Sequence, residues 1–166
     1  MTSLPRGSAA REHRPANRRR AVAAIGAVSA GLLVLSACDK PTPIATVTVG
    51  GDSVHSEASC YADGEALKAS QLQECLKDKD IKTIKVDPDE TVRFGVDPDI
   101  AEKGWTILMN GQALTDASTK TYRTIPGSVF FNQQYGASGS TTTVSILEGD
   151  SSKATGLWSF KLKKDA

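Results

Sequence analysis

The sequence predicts an all-β domain, an antiparallel β-sandwich with one short helix or irregular crossover. Three observations predict it. From Ile44 onward, short runs of β-branched and aromatic residues recur, separated by Gly, Pro, Asp or Ser. Several runs alternate apolar and polar residues, the period of a strand with one buried face. No long amphipathic helical pattern interrupts them. The 129 residues from Cys38 to Ala166 suit one domain with one core.

The elements follow in order. "IATVTV" alternates and stops at Gly50-Gly51, a strand ended by a turn. "SVHSEASCYA", "IKTIKV", "TVRFGV", "GWTILMNG", "KTYRTI", "SVFFNQQY", "TTTVSILEG" and "GLWSFKLK" read as further strands, eight or nine in all. The exception is "GEALKASQLQECLKD", Gly64 to Asp78, rich in helix formers with Leu67, Leu72 and Leu76 apolar. It is expected as the short helix or crossover.

"VDPDE" at Val86–Glu90 and "VDPDI" at Val96–Ile100 form a near-repeat. Asp87, Asp89, Asp97 and Asp99 could converge on calcium, which takes about six to eight oxygens. Asp-Pro-Asp also suits a type I turn, with Asp first and Pro presetting the second position. Neither segment has the spacing and glycine of a calcium loop, so turns are expected and no metal is assigned. The first then closes a hairpin, "IKTIKV-DPDE-TVRFGV", and the second marks the turn or loop after it.

Upstream, the composition changes. Arg6, Arg11, Arg14, Arg18, Arg19 and Arg20 stand against the single acid Glu12, and Ala21–Leu35 follows with no charge in 15 residues. That length fits the apolar region of a signal peptide and falls short of the ~20 residues a spanning helix needs. The arginines orient the segment with its N-terminus on the cytoplasmic side. Residues 1–37 are therefore expected to be a cleaved signal peptide, 38–43 a tether stiffened by Pro41 and Pro43, and 44–166 the folded domain.

Leu35-Ser36-Ala37-Cys38 resembles the lipobox of bacterial lipoproteins: Leu three before the cysteine, two small residues, then Cys. The resemblance implies cleavage between Ala37 and Cys38 and attachment of diacylglycerol to the Cys38 sulfur. Buried methylenes contribute about 0.8 kcal/mol each, so two chains suffice to hold a domain at a membrane surface. Asp39 resembles the signal that retains lipoproteins on the cytoplasmic membrane of bacteria with two membranes. "RRRAVAA" lacks the bulky apolar residue of twin-arginine export, which favours the general secretory route. The mature part also resembles small actinobacterial lipoproteins, in which an Ala-rich leader precedes a β-rich domain with a Cys pair and a strand like "GWTILMNG". This second resemblance implies fold class and compartment, and carries no catalytic residues.

Without the leader, 14 Lys+Arg face 18 Asp+Glu, so the mature part is net acidic although the whole chain is +1. No basic stripe remains for nucleic acid, which is excluded as a partner. With Cys38 acylated, Cys60 and Cys75 are an even pair in an oxidising compartment, and a disulfide is expected. A metal or redox pair is the alternative, but there is no Cys-x-x-Cys.

The catalytic inventory is thin. His55 is the sole histidine after Cys38 and is expected on an exposed strand. A His-dependent relay or a blue-copper site lacks its parts, and no Gly-x-Ser-x-Gly, His-Glu-x-x-His or phosphate loop occurs. No enzyme activity, catalytic residue or cofactor is assigned. Trp105 and Trp158 are expected in the core, beside aliphatic neighbours, as are Tyr61, Tyr122, Phe130, Phe131 and Tyr135. The combined expectation is an immunoglobulin-like sandwich, lipid-anchored at the extracytoplasmic face of the cell membrane, that binds an envelope protein or small ligand or supports envelope assembly. The alternatives are a small hydrolase using paired carboxylates and a carrier holding an apolar ligand between the sheets.

Overall fold

The computed structural model describes residues 41–150 and 152–165. Among these residues ten strands form two sheets. β1 (Ala45–Val49), β2 (Asp52–Ser56), β5 (Thr91–Val96) and β8 (Tyr122–Pro126) make an antiparallel sheet in the order β2-β1-β5-β8. The six-stranded sheet runs β3 (Cys60–Tyr61), β10 (Lys153–Lys164), β9 (Thr141–Asp150), β6 (Trp105–Met109), β7 (Gln112–Ala113). β4 (Lys82–Val86) joins it beside β10, as a parallel pair in an otherwise antiparallel sheet. The molecule is thus a sandwich-like β protein.

Alternation drives the closure of the two sheets. Ala45, Val47 and Val49 of β1 and Val92, Phe94 and Val96 of β5 are buried on one side. They meet Ile84, Ile107, Val144, Ile146, Phe160 and Leu162 from the other sheet in one continuous core. Trp105 and Trp158 lie fully buried within it, as their neighbours suggest. Each indole N–H finds a carbonyl: Trp105 donates to Lys120 (2.7 Å) and Trp158 to Pro43 (2.8 Å). A buried indole needs that partner, and the second bond ties the start of the domain to its centre.

The outer face of the six-stranded sheet is covered separately. α1 (Ala69–Cys75), inside the helix-rich stretch, packs with Leu72, Cys75 and Leu76 against Leu108, Leu147, Ala154 and Leu157. Cys60 and Cys75 are bonded, Cα atoms 6.1 Å apart, which fastens the helix to β3. The even cysteine pair is the expected disulfide.

Five local expectations need correction. "SVHSEASCYA" is two strands, β2 and β3, placed in different sheets. "SVFFNQQY" is not a strand but two 3-10 turns, Gly127–Phe131 and Gln133–Tyr135. Tyr122 and Tyr135 are exposed, while Phe130 is buried and Tyr61 and Phe131 are half-buried. The fourth concerns the DPDE hairpin. The turn itself is present, with Glu90 N–H donating to Asp87 O (3.0 Å) and Asp89 N–H to Asp87 Oδ1 (2.9 Å). Yet β4 and β5 do not pair: the turn is a corner that carries the chain from one sheet to the other. Ile84 and Val86 face the same core as Val92 and Phe94, from the opposite side. Gly127 closes the corner, since a Cβ there would stand 2.6 Å from Asp87 O.

"VDPDI" begins α2 (Pro98–Lys103) instead of a simple turn. Pro98 opens the helix, where its missing N–H costs nothing, and Asp99 sits in the first turn. Asp97 Oδ2 is taken by Ile44 N–H at 2.7 Å.

Candidate functional site

Strand phase leads to the site. On β9 the inward positions are Val144, Ile146 and then Glu148, a carboxylate in register with the core. Across the sheet Glu148 stands opposite Trp105 on β6 and Gly156 on β10, and Gly156 in turn faces Tyr61 on β3. The row Tyr61-Gly156-Glu148-Trp105 therefore crosses four strands on one face. Gly156 is what makes the row fit. A Cβ there would come 2.6 Å from the Trp158 ring and 3.0 Å from the Tyr61 ring, which meet edge to face with centroids 6.1 Å apart.

A β-bulge sets the polar contacts. Gly149 pairs with Ala154 and Glu148 with Gly156, leaving Thr155 as the extra residue. Bulges re-aim side chains, and Thr155 Oγ1 donates to Glu148 Oε2 at 2.7 Å. Lys103, in the last turn of α2, reaches over the row. Its Nζ lies 3.0 Å from Glu148 Oε1, donates to Tyr61 Oη at 3.3 Å and sits 5.3 Å from the Tyr61 ring centre. The Lys103–Oε1 contact is an ion pair without good hydrogen-bond alignment, so among the described residues Oε1 has no hydrogen-bond donor of its own.

The pair is lopsided. Glu148 is fully buried, whereas the Lys103 side chain is 37% exposed. Partial burial works to lower the Lys103 pKa, but the close contacts with Glu148 and Tyr61 outweigh it, and the pKa is raised. Removing either partner strands the other, and a buried carboxylate left alone is costly. Above the pair opens a cleft of about 530 Å³, lined by Lys103, Gly104, Gly149, Lys153 and Thr155 among others. Among the described residues no acid lines the cleft itself, and Glu148 lies beneath Lys103.

The residues singled out from the sequence lie elsewhere. The lipidation and cleavage positions, Cys38 and Ala37, fall outside the described residues. Cys60 and Cys75 are brought together, and Cys60 adjoins Tyr61, so the disulfide fastens the two-residue strand that presents the Tyr61 hydroxyl. His55 is exposed on β2, as expected. Asp87 and Asp89 precede β5 while Asp97 and Asp99 follow it, so the two acidic segments lie at opposite ends of a six-residue strand. Among the described residues no three His, Cys, Asp or Glu side chains gather as a metal site would require.

Sequence reasoning missed Glu148, Lys103 and Thr155. One signal was present: Glu148 has the same parity as Val144 and Ile146, so a strand buried on that face must bury the carboxylate too. Its partners carry no such mark, since Lys103 and Thr155 belong to other elements. Comparison with protein-family models, curated proteins and solved structures returns no match.

Proposed function

We propose that this chain is a lipid-anchored extracytoplasmic binding module, held at the cell membrane through Cys38 and presenting its cleft to a small ligand or envelope partner. The observation that carries the binding part is the contrast between interior and surface. The interior is occupied by Trp105, Trp158, Phe94, Phe130 and Phe160, while the 530 Å³ recess is open and rests on a charged pair. An apolar carrier wants an empty apolar interior, and a two-carboxylate hydrolase wants a second acid beside Glu148. The observations favour neither. Leu35-Ser36-Ala37-Cys38 supports the anchor, and a disulfide at Cys60–Cys75 is the chemistry an oxidising compartment allows. Among the described residues no helix is long and apolar enough to cross a membrane. The finer architecture we read as immunoglobulin-like, on the strength of two facing sheets with buried tryptophan between them.

Metabolic labelling with a fatty-acid analogue tests the anchor. The expected outcome is incorporation into the wild type, and none into Cys38→Ser, which leaves the membrane fraction or is mis-processed. A Ser variant that still labels and stays membrane-bound overturns the lipoprotein reading.

A further inference from the structure

Building on the binding-module reading, we propose that Lys103 in the cleft lining, with the Tyr61 hydroxyl beside it, recognises an oxyanion, the carboxylate or phosphate group of a small ligand. A lysine ammonium has three N–H groups. In Lys103 one faces Glu148 Oε1 and one goes to Tyr61 Oη, leaving the third without a partner among the described residues. Tyr61 Oη accepts from Lys103, so its own proton is available to donate, again with no acceptor among those residues. Two unspent donors thus stand 3.3 Å apart, one on Lys103 in the cleft lining and one on Tyr61 beside it. What they lack is an acceptor.

Burial selects the sign of the ligand. Glu148 is sealed beneath the pair and cannot be touched, while the ammonium above it is partly exposed. The cleft therefore meets the positive end of an otherwise neutral pair. Asp63, Glu65, Glu102 and Asp116, each within one residue of a lining residue, are exposed and are not among the residues that line the cleft. Glu148, itself fixed by Thr155, and Tyr61 hold Lys103 before any ligand arrives, so little side-chain freedom remains to be lost on binding. Glu148 offers an ammonium ligand no accessible carboxylate, because it is fully buried beneath Lys103.

The test uses the full-length protein in mild detergent, titrated separately with inorganic phosphate, acetate and a dipeptide bearing a free carboxylate, with methylammonium as the cation control. NMR signals of the Lys103 side chain and the Tyr61 ring report binding. The expected result is a saturable shift with at least one oxyanion below about 10 mM, and the anion that gives it identifies the source of the charge. Tyr61→Phe, which keeps the ring and removes one donor, should weaken binding roughly tenfold. Lys103→Met alone would strand Glu148, so the second variant is Lys103→Met with Glu148→Gln, and there the response to the oxyanion should vanish, read on the Tyr61 ring. No saturable response to any of the three oxyanions overturns the proposal. So does an undiminished response in the double variant, or a methylammonium response as strong as the best anion's. Failure here with Cys38 labelling intact removes the ligand class and leaves the anchored module standing.

Discussion

The two faces of the six-stranded sheet are built from the same alternating strands and closed in different ways. The inner face presents Trp105, Ile107, Val144, Ile146, Trp158, Phe160 and Leu162 to a second sheet. The outer face presents Leu108, Leu147, Ala154 and Leu157 to a seven-residue helix. A second sheet is sustained by its own ladders of hydrogen bonds. A helix of that length is far below the ~12–15 residues at which isolated helices become marginal, so α1 depends on burial of Leu72 and on the bond to Cys60. The difference shows that a covalent link is placed where the cover is weakest. Polar side chains follow the same division: the outer face buries the neutral Ser145–Ser159 pair, 2.9 Å apart, whereas the inner face ends in the charged Glu148.

The largest expected effect tests the inner face. Trp158→Ala removes a fully buried ring that touches Tyr61 and bonds to Pro43, and should cost about 3–5 kcal/mol in chemical denaturation. A loss under about 1 kcal/mol would mean the two sheets are not closed on this residue.

Next comes the outer face. Cys60→Ser with Cys75→Ser should lower stability by about 2–5 kcal/mol, leave membrane attachment unchanged, and speed amide exchange in α1 more than in β1 or β5. Mass spectrometry of the non-reduced protein should find Cys60 and Cys75 joined. Two alkylatable thiols at these positions in freshly isolated protein would contradict the fold's use of them.

A smaller effect separates the charged rim from both faces. Because the Lys103 pKa is raised in the folded state, its contribution is fully present below the ordinary lysine value of 10.5 and is lost as pH rises through the higher folded value. The thermal midpoint should therefore carry no Lys103 loss from neutral pH to about pH 10. An alkaline step beyond that should be absent from the Lys103→Met, Glu148→Gln variant. A step of equal size in that variant would assign it to other lysines.

The smallest effect lies on the edge strand β2, away from both faces. His55→Ala should change stability by less than about 0.5 kcal/mol, because the side chain is exposed and bonded to nothing among the described residues. A larger change in the denaturation midpoint would show that β2 is covered by a partner.

Much of the fold is legible in the sequence. The alternation in "IATVTV" and "TVRFGV" specifies strands and their buried face, and aliphatic neighbours place Trp105 and Trp158 inside. "SVFFNQQY" misled because β-branched and aromatic content carries no information about pairing. No partner strand stands beside it, and Phe130 reaches the core from a 3-10 turn. The two Asp-Pro-Asp segments show the same limit. Each was legible as a change of direction, but one became a corner between sheets and the other the start of a helix, according to what lay beyond.

What the sequence determined alone were properties carried by neighbours along the chain: strand period, turn chemistry, the even cysteine pair and the charge left after the leader. Tertiary structure alone decided which sheet each strand joins and which side chains share a site. Glu148, Thr155, Lys103 and Tyr61 come from β9, β10, α2 and β3, so no spacing in the sequence links them. Their meeting depends on strand order, on a bulge that turns Thr155 and on the side chain that Gly156 lacks. These are facts about register across a sheet, and register is set by the burial of a whole face at once rather than by any one segment.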